Sequence, residues 1–258
     1  MKNVAVLLLM VLLTLSPFTA RAGTKSASML RLDPQVALGA YQGLVEEHLE
    51  SVLRTEKVVA SSSEARSARW EAVRPLLESF ARGLSTDATV WFAMPDGSYF
   101  TTESRGAVEQ NLRDRSYFPR LLAGQDVPGD LVISKSTGHR SIVVATPVVE
   151  NGKVLAIVGV SVRVRLLSQL VESKMPLPDD AYFYALDPEA KIVLHRYADR
   201  MFRRVDEVGD ERLGNAFRAV MKNERGGFDY TLNGQRMSSV YSRSKRLGWY
   251  FFIARQRR

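Results

Sequence analysis

Ala145 to Val162 reads ATPVVENGKVLAIVGVSV. Two β-branched, apolar runs flank Asn151-Gly152, and Asn-Gly is the strongest short hairpin signal because both central residues of the tight turn take positive φ. The spacing predicts an antiparallel hairpin of Ser141–Val149 and Val154–Val164. Upstream, Thr89–Ala93 is rich in β-formers, Pro95-Asp96-Gly97 makes a turn, and Tyr99–Thr102 resumes a strand. A polar piece from Ala107 to Ala123 is expected to be helical, and Leu131–Ser134 to be a short strand. Downstream, Leu166–Ser173 is expected as a short helix, with Met175-Pro176-Leu177-Pro178 as a linker.

The plan then recurs. Ala181–Leu186 and Lys191–His195 read as strands about Asp187-Pro188-Glu189-Ala190, and Glu211–Lys222 as a helix. Gly227–Leu232 and Gln235–Ser242 flank Asn233-Gly234, and Trp249–Ala254 closes the series. The two halves form a weak repeat in element order, with the Asn-Gly hairpins in register, and hardly any repeat in residue identity.

Ahead of both halves, Val36, Tyr41, Leu44, Val45, Leu49, Val52 and Leu53 recur at helical spacing between charged residues. Asp33 before Pro34 is a helix start, an N-cap followed by proline in the first turn. Ser61-Ser62-Ser63 loosens the pattern. A second helical stretch carries Trp70, Val73, Leu76, Leu77 and Phe80 and ends near Gly83. The expected fold class is α+β: a long N-terminal helical region (33–84), then two modules (85–174 and 179–256), each an antiparallel sheet flanked by helices.

The first 22 residues read as a secretory signal peptide: Lys2, an apolar run over Val4–Leu15, and a small-x-small site at Ala20-Arg21-Ala22. The run is short for a membrane span, which needs roughly 20 apolar residues, although an uncleaved N-terminal anchor is the alternative. An exported, periplasmic chain is expected. Cleavage would leave 236 residues and lower the net charge from +8 to +6, since Lys2 and Arg21 would leave. With no cysteine, stability must come from packing. Arginines are spread along the chain without a dense block, so the charge reads as a basic surface and nucleic acid is not expected as a partner.

Catalysis finds little support in the residues. His48, His139 and His195 are far apart and lack zinc spacing. There is no thiol nucleophile, no Gly-x-Ser-x-Gly elbow and no phosphate-cradling glycine loop. Asp179-Asp180 and Asp206-Glu207 read as solvated turn acids. No enzyme activity and no cofactor are expected.

The order and spacing of PDGSYF (95–100), NLRDRSYF (111–118), ATPVVENGKVLAIVGVSV, AYFYALDPEAKIVLHR (181–196), GGFDYTLNGQ (226–235) and RLGWYFFIA (246–254) resemble those of a double Cache domain. That family is the PAS-like extracytoplasmic sensor module of bacterial chemoreceptors and sensor kinases, and the resemblance covers about residues 33 to 256. It implies a membrane-distal and a membrane-proximal module, with a small molecule bound in the distal one. In the amino-acid-binding subset an arginine grips the ligand carboxylate, with aromatics two and three residues later. Arg115, Tyr117 and Phe118 stand at those positions. Gln110 stands where that subset has a tyrosine, and Ser161 where it has an aspartate for the ligand amine. A carboxylate-bearing ligand, organic acid or amino acid, is therefore expected. Family members usually continue through a second membrane helix; this chain resembles a stand-alone exported form that hands its signal to a membrane sensor partner.

The residues themselves allow the same roles. A guanidinium offers a planar fork for two charge-assisted hydrogen bonds to a carboxylate; the rival role for Arg115 is a salt bridge to Asp114 or a helix end. Tyr117 and Phe118 wall a pocket or pack a core, Tyr99 faces the same pocket or does not, and Ser134 and Ser161 bind ligand or satisfy local backbone groups. Tyr182, Tyr184, His195, Tyr241, Trp249 and Tyr250 make a second aromatic set, either a pocket or a core. The expected ligand-binding set is Arg115, Tyr117, Phe118, Tyr99, Ser134 and Ser161. The alternative function is a ligand-free interaction module that docks to a membrane kinase or chemoreceptor, or dimerises through the long helix.

Overall fold

The structure, a computed structural model, describes residues 33–104 and 106–257. The expected signal peptide lies outside them. Asp33 to Arg258 forms one compact unit.

Helix α1 (Pro34–Ala60) begins as the sequence predicts: the Asp33 carboxylate accepts the Gln35 amide at 2.7 Å, and Pro34 occupies the first turn. Its 27 residues extend about 40 Å at the usual α-helical rise. The Ser62 hydroxyl then caps α2 (Ser63–Arg66), and α3 (Trp70–Gly83) follows. The apolar stripe of α1 is buried from Tyr41 to Val59, with His48 and Glu56 among its buried residues. Val36 departs from expectation: at 63% exposed it lies off the stripe, and Ala37 and Leu38 take its place.

The first sheet comprises β1 (Ala88–Ala93), β2 (Tyr99–Thr101), β3 (Val127–Ile133), β4 (Arg140–Glu150) and β5 (Lys153–Arg163), with α4 (Phe118–Leu122) inserted before β3. After α5 (Val164–Lys174), the second sheet comprises β6 (Ala181–Leu186), β7 (Ile192–His195), β8 (Arg225–Leu232), β9 (Gln235–Arg243) and β10 (Tyr250–Gln256). A single 3-10 turn (Ala198–Arg200), α6 (Val205–Val208) and α7 (Glu211–Val220) lie between β7 and β8. Both sheets are antiparallel, and their orders, β2-β1-β5-β4-β3 and β7-β6-β10-β9-β8, are the same.

The Asn-Gly turns are not equivalent within that repeat. Asn151-Gly152 joins β4 to β5, whereas Asn233-Gly234 joins β8 to β9, the counterparts of β3 and β4. A second turn type fills the complementary places. Ser134–His139 (SKSTGH) joins β3 to β4, and Ser244–Trp249 (SKRLGW) joins β9 to β10. In both, the glycine amide bonds the serine carbonyl, at 2.9 Å for Gly138 and 3.0 Å for Gly248, and each glycine has φ near +70° (71° and 73°). The serine hydroxyl closes each turn by accepting an amide, from Thr137 at 3.3 Å and from Leu247 at 2.9 Å.

The helix expected over Ala107–Ala123 is confined to Phe118–Leu122. Its upstream backbone bonds elsewhere: the Val108 amide to the Tyr99 carbonyl at 2.9 Å and the Leu112 amide to the Gly97 carbonyl at 2.8 Å. The Asn111 side chain pins the strap by donating to the Asp96 carbonyl and accepting the Arg113 amide. Gly97, at φ +87°, leaves room for that close approach.

The central strands of each sheet are buried on both faces, whereas the edge strand β8 turns one face to solvent. The inner faces of both sheets share one core with α1: Val144 and Val158 from the first, Phe183 and Phe251 from the second. Tyr41 packs against Phe183 and Phe251, with ring centroids 5.0 and 5.1 Å away. The outer faces are separate, which positions two candidate sites.

Candidate functional site

On the outer face of the first sheet, strand alternation presents Trp91, Val143, Ala145 and Ile157, and residues 97–124 cover it with Tyr99, Leu112, Tyr117, Phe118 and Leu121. Tyr99, Tyr117 and Phe118 thus come together, each at most 2% exposed. Ser161 lies opposite Thr89 and Val143 in the ladder and accepts a hydrogen bond from the Trp91 indole at 3.2 Å. Ser134 is not part of this aromatic group; its hydroxyl closes the turn after β3.

Arg115 is half-buried, and its Nη2 donates to the Ile133 carbonyl at 2.5 Å. Its Nε is buried and has no hydrogen-bond partner among the described residues. Asp114 pairs with Lys135 at 2.5 Å, a hydrogen bond that holds its carboxyl below the usual range. Lys135 also donates to the Asn111 carbonyl, tying the strap to the β3–β4 turn. Burial raises the Tyr117 and Tyr99 phenols; the nearby Arg115 charge pulls both back, and for Tyr99 the Ser136 hydrogen bond does so first.

The sequence reading missed Trp91. Its indole lies flat over Gly159, where a Cβ would collide with the ring. The available signal was Gly159 itself: glycine inside a strand marks a place where another group approaches the backbone closely.

The outer face of the second sheet is aromatic. Tyr182, Tyr184, Tyr230, Tyr241, Tyr250 and Phe252 are covered by Val205, Leu213 and Phe217 of α6 and α7. The Trp249 of the expected aromatic set instead faces the shared inner core. His195 stacks on Tyr182 and Tyr184, with centroids 5.2 and 5.8 Å away. Its Nδ1 accepts the Tyr197 amide at 2.8 Å. Burial, then the charge of Arg200, pushes its pKa well below the ordinary value, so the ring is neutral near pH 7.

Two further clefts lie elsewhere. One of about 380 Å³ between α1 and α3 includes His48, Ser85 and Phe80. One of about 560 Å³ between the lobes is lined by His139, Arg140, Arg163 and Arg165. Among the described residues no group of three or more His, Cys, Asp or Glu side chains is placed to hold a metal, and no helix is long and apolar enough to cross a membrane.

Comparison with solved structures places this architecture. The chain resembles the ligand-binding domain of the Pseudomonas aeruginosa PAO1 amino acid chemoreceptor PctB, solved with L-Gln, with a TM-score of 0.68 and 16% identity over 86% of this chain and 89% of that one. It resembles the ligand-binding domain of the Pseudomonas fluorescens chemoreceptor CtaA, solved with L-isoleucine, with a TM-score of 0.65 and 15% identity over 87% and 89% of the chains. The sensor domain of the Vibrio cholerae histidine kinase DctB matches with a TM-score of 0.61 and 14% identity over 87% and 98%. No curated protein sequence matches the chain. Residues 35–258 match the sequence model of the Cache domain. With its helix spine and two five-stranded antiparallel sheets, the chain belongs to the Cache domain family of ligand-binding sensor modules.

Proposed function

We propose that this chain is an exported sensor module that recognises a small carboxylate-bearing molecule, organic acid or amino acid, through its distal lobe. Arg115 supplies the cation, Tyr117, Phe118 and Tyr99 the walls, and Ser161 with Trp91 the polar floor. Ser134 enters this reading only through the turn that holds Lys135. The observation that carries it is the Arg115 guanidinium: it bonds one carbonyl and leaves a buried Nε–H without an acceptor among the described residues, while its charge holds down the pKa of the buried Tyr117 and Tyr99 phenols. A carboxylate satisfies such a donor set in a planar, charge-assisted geometry. The solved relatives with bound L-Gln and L-isoleucine support a small-molecule ligand of this kind. Binding would tighten residues 97–124 against the sheet and shift a population between two arrangements for a membrane sensor partner to read.

The apolar stripe of α1 is covered by both sheets of the same chain, which disfavours the reading as a dimerisation module through that stripe. The test is a thermal-shift screen of amino acids, organic acids and amines. A carboxylate ligand is expected to raise Tm, by about 2.7 kcal/mol of stabilisation at a hundredfold excess over Kd. Arg115→Ala is expected to abolish the rise while leaving the unliganded Tm little changed. A screen in which no carboxylate stabilises the protein overturns the proposal.

A further inference from the structure

The proximal lobe brings an imidazole N–H, a guanidinium and three phenols to one recess. His195 accepts the Tyr197 amide at Nδ1, so its single proton sits on Nε2. Nη1 of Arg200 stands 3.5 Å from that same Nε2. A guanidinium has no acceptor, so this contact sets donor against donor. The Arg200 guanidinium lies against the rings of Tyr197 and Tyr182, at 5.0 and 5.8 Å, within reach of the Tyr182 hydroxyl.

Three phenols join them. The Tyr182 and Tyr230 hydroxyls meet at 2.7 Å, and Tyr184 donates to Tyr230 at 3.4 Å. These two links occupy two of the three hydroxyl protons, and Ser239 stands beside Tyr184 as a further partner. Buried donors without an acceptor are costly, and a ligand that brings acceptors relieves that cost.

A cleft leads to this spot. A cavity of about 150 Å³ is bounded by Tyr182, Tyr197, Arg200 and the Asn233 turn, with Asp179 and Asp180 along it. A smaller recess of about 30 Å³ shares Tyr182 and Arg200 with it and is also lined by Tyr184, His195 and Tyr230. One water needs only about 10–15 Å³ measured in this way, so the cavity has room for a small organic molecule.

We propose that the proximal lobe holds a second binding site, for a small carboxylate, received by Arg200, the Nε2–H of His195 and a hydroxyl of the Tyr182–Tyr230–Tyr184 network. The site lies in a different lobe from Arg115 and does not depend on the distal reading. Its outer end is acidic: Asp180 holds Arg255 at 3.0 Å through one oxygen, and its other oxygen is buried without a partner among the described residues. A carboxylate that also carries an ammonium group engages both ends of the cleft.

The experiment uses the three histidines as internal reporters. In the full chain carrying Arg115→Ala, the ring nitrogens of His48, His139 and His195 are followed by NMR during millimolar titrations of propionate and of L-alanine. The two share a carbon skeleton and differ by the ammonium. A saturable shift of the His195 ring is expected, with His48 unmoved. Arg200→Gln should weaken it about tenfold or more, as expected for loss of a charge-assisted hydrogen bond. Tyr182→Phe should weaken it severalfold and keeps the proposal testable if Arg200→Gln does not fold. Tighter binding of L-alanine, reduced in Asp179→Asn, is expected if the acidic end takes part. A His195 ring that responds to neither compound, or a response undiminished in Arg200→Gln or in Tyr182→Phe, overturns the site. The Arg115→Ala background keeps this outcome separate from failure of the distal proposal.

Discussion

The two lobes have the same sheet order and different outer faces. In the first, an irregular strap and the five-residue α4 lie over a mixed face, and one indole rests on Gly159. In the second, α6 and α7 cover an aromatic-rich face centred on Phe252, whose ring stacks 4.7 Å from Tyr184 and meets Phe217 and Tyr241 at 5.5 and 5.4 Å. The turns differ as well, the Asn-Gly and Ser-Lys-x-x-Gly types exchanging places between equivalent pairs of strands. Strand order is thus preserved while loops and coverings change. What the lobes share is the inner face laid against α1; what distinguishes them is the outer face, where binding chemistry can vary without disturbing the spine.

That contrast can be broken most forcefully at the aromatic hub. Phe252→Ala removes the ring on which the proximal outer face is built and should cost about 3–5 kcal/mol in chemical denaturation. Because both sheets share one core with α1, unfolding should remain a single transition. Two separated transitions would show the lobes to be independent.

A smaller effect separates two glycines. Gly159→Ala drives a Cβ into the Trp91 indole and should cost about 1–3 kcal/mol. Gly226→Ala, in the proximal sheet, brings a Cβ to 3.0 Å from the Tyr241 hydroxyl. There the gain from replacing a strand glycine, roughly 0.5–1 kcal/mol, should nearly offset the crowding. Equal losses at the two positions would show that the flat indole is not what distinguishes the distal face.

The smallest expected effect is in pH dependence, where the lobes oppose each other. Glu56 of α1 is fully buried, and burial, then the charge of Asp126, raises its pKa well above 4.5. The folded chain therefore holds a proton that the unfolded chain releases, and stability falls as pH rises above about 4.5. His195 is the reverse: with its pKa depressed, the unfolded chain takes up protons first, and stability falls as pH drops below 6.5. Tm measured against pH should lose its alkaline slope in Glu56→Gln and its acid slope in His195→Gln. Unchanged slopes would remove these groups from the balance.

Much of the scaffold was legible in local patterns. The Asp33-Pro34 start and the stripe from Tyr41 onward gave α1, and β-branched runs about Asn151-Gly152 gave β4 and β5. The strap at 107–117 was misread as helix because its polar spacing does not reveal that its amides bond the β1–β2 turn and β2. The internal repeat was seen, but matching the Asn-Gly pairs aligned strands that are not equivalent. Tyr99, Tyr117 and Phe118 gather on one face, whereas Ser134 is occupied in closing a turn and Trp91 entered unforeseen.

The sequence by itself determined the elements and their order, since periodicity, caps and turn residues act over a few neighbouring positions. Only the tertiary structure decided which donors are left without acceptors. Whether the Nε–H of Arg115 or the paired donors of His195 and Arg200 find a partner depends on groups brought from distant parts of the chain. Hydrogen bonding falls off over a few tenths of an ångström, a distance that residue spacing along the chain does not specify.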